Sequence, residues 1–90
     1  MFVVRIDRED EKPDFKVFVK RSDAEARFRA AAPRVWEHEF AGAALFEVLN
    51  TTDARAALEA VKAGDKTMVR LLDKEPTDIN VDDLDLSGII

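Results

Sequence analysis

Apolar and polar positions change rhythm several times along this chain, and each change predicts an element. Phe2-Val3-Val4-Arg5-Ile6 is rich in β-branched and aromatic residues, and Phe15-Lys16-Val17-Phe18-Val19-Lys20 alternates at its ends, so both read as strands. The intervening Asp7 to Asp14 is almost wholly charged and contains Pro13, which cannot donate to a sheet ladder. A hairpin is therefore expected at the N-terminus.

The rhythm then becomes helical. In Ser22-Asp23-Ala24-Glu25 the serine oxygen can accept from the Glu25 amide while the Glu25 carboxylate reaches back, which predicts a capping box and a helix start. Ala24, Phe28 and Ala31 share one face, and Asp23 to Arg27 and Glu25 to Arg29 are acid-first pairs four residues apart. Pro33 disfavours the α conformation at Ala32 and is expected to end this helix. Arg34 to Ala43 fits a second short helix starting at Pro33 and capped by Gly42, and fits equally a strand in which Trp36, His38 and Phe40 alternate with Val35, Glu37 and Glu39.

Leu45-Phe46-Glu47-Val48-Leu49 reads as a strand, and Asn50-Thr51-Thr52-Asp53 supplies capping side chains for a helix with Ala54, Ala57, Leu58 and Val61 as its apolar stripe. Gly64 lies past the end of that helix, and Thr67 to Leu72 reads as a further strand. Strand, helix and strand in succession suggest a right-handed parallel crossover. The expected fold is an α+β two-layer sandwich: a mixed four- or five-stranded sheet opening with a β-hairpin, two main helices on one face, and an acidic C-terminal tail. Residues 1–72 form the expected compact domain and 73–90 the acidic-hydrophobic tail.

Length and composition agree with one core. Ninety residues with 47% apolar content can bury enough surface to fold without disulfides or metal, and the absence of cysteine excludes thiolate metal sites and thiol nucleophiles. The first residues reach Arg5 and Asp7 too early for a signal peptide, and no stretch approaches the roughly 20 apolar residues of a membrane span, so a cytoplasmic protein is expected.

Charge is divided unevenly. Residues 1–72 hold 13 basic and 13 acidic side chains, whereas 73–90 hold Lys74 against Asp73, Glu75, Asp78, Asp82, Asp83 and Asp85. All of the net charge of −5 therefore resides in the tail. Residues 16–34 carry a local excess of four positive charges, and Lys20, Arg21, Arg27 and Arg29 form a candidate basic docking surface for the tail or for an acidic group.

Candidate chemistry is sparse. His38 is the only histidine, and its neighbours Glu37 and Glu39 point away from it on a strand and fan out on a helix, so neither orients the ring. Ser22 is assigned to a cap and Ser87 lies in the tail, which argues against a serine triad. The isolated glycines build no phosphate loop. Asp78, Asn80 and Asp82 start a calcium-loop pattern that fails at Asp83 and Ile89, where glycine and glutamate are needed. Catalytic, metal and cofactor sites are accordingly assigned to no residue, and nucleic acid is disfavoured by a pI near 4.8.

The tail interleaves apolar and acidic residues, a composition found in segments that order on a partner. Ile79, Val81, Asp82, Asp83, Leu84, Asp85 and Leu86 are the candidate partner-binding residues. The leading expectation is a non-enzymatic protein-binding or regulatory module that engages a protein partner through this segment. The alternative is a small homo-oligomeric scaffold, a homodimer in its simplest form, pairing through an exposed sheet face.

Overall fold

The computed structural model describes residues 1–75, and the candidate partner-binding residues from Ile79 to Leu86 lie outside them. The N-terminal hairpin forms as expected from β1 (Phe2–Asp7) and β2 (Asp14–Phe18), antiparallel, with Val3 opposite Val17 and Arg5 opposite Phe15. Its connection turns at Asp10, which takes a left-handed φ of 63°, and Arg8 reaches Asp14 at 3.2 Å across it.

Helix α1 (Arg21–Trp36) is longer than its sequence signals indicate, and both ends differ from expectation. Lys20 occupies the N-cap position without a side-chain cap bond, so Ser22 falls inside the first turn and the capping box does not form. Glu25 instead accepts from Arg21 at 2.9 Å and lies 3.7 Å from Arg29, so the carboxylate expected to reach back to the Ser22 amide pairs with guanidinium groups. Pro33 does not end the helix, which runs on for one more turn. The hydrogen bond that proline removes would have joined it to the Arg29 carbonyl, and both residues lie on the exposed side, where water can replace the lost donor. Neither reading of Arg34 to Ala43 as one element holds: Arg34 to Trp36 close α1, a turn follows, and Gly42 opens the next strand rather than capping a helix.

That strand is β3 (Gly42–Val48), followed by α2 (Ala54–Ala63) and β4 (Val69–Glu75). The α2 caps match their residues: the Asp53 carboxylate accepts from the Ala56 amide at 2.9 Å, and Gly64 takes the left-handed conformation with φ 68°. The last strand passes the expected boundary at Leu72, so Asp73, Lys74 and Glu75 belong to the sheet opposite Leu45, Ala44 and Ala43.

The strand order is β2-β1-β3-β4 and every neighbouring pair is antiparallel, which corrects the mixed sheet and the parallel crossover. Val48 pairs with Val69, so β4 starts where β3 finishes and α2 has no need to carry the chain back along the sheet. A strand-helix-strand order alone does not distinguish these routes.

The two helices lie on opposite faces of the sheet, not on one. Val4, Ile6, Ala43 and Leu45 pack with Ala24, Phe28, Ala31 and Val35 of α1, whereas Val3 and Val48 pack with Ala57, Ala60 and Val61 of α2. Val3 and Val4 are adjacent on one strand and therefore point to opposite faces. The apolar residues on both sides of the hairpin thus find helices on both sides, giving three layers rather than two. No helix among the described residues is long and apolar enough to cross a membrane.

Candidate functional site

Helix α1 lies over β1, β3 and β2 and leaves the flank above β4 open. The result is a groove of about 550 Å³ between α1 and β4, floored by Phe28, Ala32, Pro33, Leu45 and Leu72 and overlooked by Trp36. Trp36 is 64% exposed, which is costly for the largest apolar side chain of a small domain and marks the groove as the leading candidate site.

Helical spacing explains which side chains face this flank. Arg21, Glu25, Arg29, Ala32 and Trp36 recur at intervals of three and four residues and form one stripe beside the buried stripe of Ala24, Phe28, Ala31 and Val35. Trp36 joins this stripe only because the helix continues through Pro33. On the opposite wall, the register shifts between Leu45 and Phe46, whose partners are Asp73 and Leu71, so Leu72 is the extra residue of a β-bulge. Strict alternation would send Leu72 and Asp73 to opposite faces, yet both line the groove.

The electrostatics of the lining are mixed but net acidic. Two arginines, Arg21 and Arg29, face four carboxylates, Glu25, Glu37, Asp73 and Glu75, and both arginines are engaged by Glu25. Glu75 stands out because its Oε1 is buried and accepts no hydrogen bond among the described residues.

The expected basic docking surface is distributed over several places. Arg21 and Arg29 line the groove, Arg27 borders a separate recess with Lys16, Asp14, Phe15, Val4 and Ile6, and Lys20 caps α1 as an exposed residue. Arg34 pairs with Glu39 at 3.5 Å and lies over the Phe40 ring, with Arg8 also over that ring at 5.0 Å. Phe15, Phe18 and Phe28 pack against the two cores, as their spacing predicts.

His38 is exposed and has a left-handed φ of 66°, at the end of α1. Its amide donates to the Val35 carbonyl at 3.0 Å and the Glu39 amide to the Arg34 carbonyl at 2.8 Å, which makes it a helix-terminating residue. The carboxyl of Asp65, in the turn after α2, is held below its ordinary pKa by the Thr67 hydroxyl at 2.6 Å and the Thr67 amide at 3.0 Å. Those bonds close a turn leading into β4. Among the described residues no group of three or more His, Asp or Glu side chains is arranged to hold a metal ion.

The spacing from Arg21 to Trp36 was the available sequence signal for the groove, and the proline concealed it; the bulge at Leu72 left no comparable mark. Comparison with protein families, with curated proteins and with solved structures gives no match.

Proposed function

We propose that this protein is a non-enzymatic binding module that engages a protein partner through its acidic-apolar C-terminal segment. One observation carries this reading: β4 ends at Glu75 on the lining of an open apolar groove, and the segment containing Val81, Leu84 and Leu86 follows directly in sequence. A partner held by that segment is brought to an exposed indole and to the apolar floor beside it. Apolar residues of the segment supply anchoring, and its aspartates supply long-range attraction to a basic surface. The homo-oligomeric alternative rests on a bare sheet face; here each face carries a helix, which leaves it the β4 flank on the α2 side, where Leu71 is exposed.

The test is affinity capture with the full chain and with a Val81→Ser, Leu84→Ser, Leu86→Ser variant, followed by mass spectrometry. Proteins recovered with the native chain should be lost with the variant, since each buried apolar side chain contributes about 1.5–3 kcal/mol. Asp82→Asn, Asp83→Asn and Asp85→Asn together should mainly slow association and flatten its salt dependence. Equal recovery with every chain would refute the reading.

A further inference from the structure

We infer that the groove between α1 and β4 binds an apolar peptide segment of the partner protein that carries a lysine or arginine, with the cationic side chain received by Trp36 and Glu75. This rests on the protein-binding reading above and adds the chemistry of the bound segment.

The apolar floor, with Phe28, Leu45 and Leu72 among its residues, fits aliphatic side chains. The polar lining selects the charge. Its four carboxylates outnumber its two arginines, and both arginines already share Glu25. An incoming anion would meet net negative charge, whereas a cation would find acceptors. The half-buried Glu75 side chain lines the groove, and its Oε1, screened from solvent, has no hydrogen-bond partner among the described residues, so the carboxylate gains by turning toward an N–H donor held in the groove. The exposed Trp36 indole offers a π face to the same cation. The chain's own residues 76–90 fit less well: they contain Asp78, Asp82, Asp83 and Asp85 and no lysine or arginine, so they match the groove's apolar floor but oppose its charge.

Trp36 is the only tryptophan and the chain has no tyrosine, so near-ultraviolet-excited emission reports on Trp36 alone, and the Glu75→Gln variant separates the groove from the recess that Trp36 also borders with His38 and Phe40. Four probes are titrated into the full chain: a blocked hexapeptide alternating leucine and arginine, one alternating leucine and glutamate, one alternating serine and arginine, and a peptide of residues 76–90. The leucine-arginine peptide should shift Trp36 emission saturably. Its affinity should fall at least tenfold in Glu75→Gln, which keeps the side chain's size, and a cooperative melt confirms that variant's fold. The leucine-glutamate and serine-arginine peptides should bind at least tenfold more weakly to the native chain. The titration is repeated with Asp82, Asp83 and Asp85 changed to asparagine, where the emission shift should persist.

Equal affinity for native and Glu75→Gln chains, a response lost with the tail aspartates, or no response to the leucine-arginine peptide would each overturn the inference. Tighter binding of the 76–90 peptide would also overturn it and make the chain's own tail the occupant. Capture that depends on the tail while Glu75→Gln leaves it intact would sink this inference alone. Glu75-dependent peptide binding together with tail-independent capture would sink the tail reading and leave the groove standing.

Discussion

At the ends of its two helices the chain uses the same left-handed termination with different residues. After α2 the Gly64 amide donates to Val61 and the Asp65 amide to Ala60, at 3.1 and 3.0 Å; after α1 the His38 and Glu39 amides make the corresponding bonds to Val35 and Arg34. Glycine adopts a φ of 68° without a Cβ penalty, whereas histidine at 66° carries about 1–2 kcal/mol of unfavourable sterics. Glycine would also loosen the unfolded chain by about 0.4–1 kcal/mol, so His38→Gly should stabilise the domain by roughly 0.5–1 kcal/mol net. Gly64→Ala should destabilise it by about 1 kcal/mol, because open space around Gly64 leaves the backbone conformation as the obstacle. Thermal melts of both variants check the pair, and a lower midpoint for His38→Gly would show that the imidazole stabilises the end of α1.

At the scale of elements, α1 shows how a local rule yields to packing. Proline inside a helix costs about 3 kcal/mol relative to alanine, partly offset by its stiffening of the unfolded chain. The helix nevertheless continues, with Val35 buried in the α1 core and Phe40 folded in behind it. Pro33→Ala should therefore stabilise the domain by about 2 kcal/mol, measured by denaturant unfolding with an unchanged slope. An unfavourable change would mean that proline's shape at the groove contributes more than its missing donor costs. The Glu25 pairs with Arg21 and Arg29 are more exposed and contribute little stability individually. Their importance is positional, since they hold two cations in place along one side of the groove.

For the whole molecule, sheet register rather than charge assigns residues 73–75 to the sheet. Asp73, Lys74 and Glu75 resemble the start of an acidic tail, yet they pair with Leu45, Ala44 and Ala43. Gly42 and Asp7 sit at the same end of the sheet, where a Cβ on Gly42 would lie 3.3 Å from both the Asp7 carboxylate and the Glu75 carbonyl. A chain ended after Glu75 should keep a cooperative melt, whereas one ended after Leu72 should lose the β4 pairing beyond the bulge and melt lower. By the size dependence of thermal unfolding, the shift should be on the order of 4–8 °C for each kcal/mol lost. Equal midpoints would place the structural boundary at Leu72 after all.

Local signals sufficed wherever one element's own pattern determined its state. The hairpin followed from alternation around a charged, proline-containing turn, the ends of α2 from the capping run that closes at Asp53 and from Gly64, and the buried face of α1 from apolar spacing. On α2 that spacing held for Ala57 and Val61, while Ala54 is exposed, Leu58 is half-buried and Ala60 is buried in their place. Tertiary structure decided the rest, because each remaining feature depends on partners distant in sequence. Both faces of β1 are apolar, but only packing assigns Val4 to α1 and Val3 to α2. The direction of β4 depends on where α2 leaves the chain, and the groove depends on a helix passing through Pro33 and on a bulge that turns Leu72 and Asp73 to one side. Periodicity records which residues avoid water; it contains no term for which element will shield them.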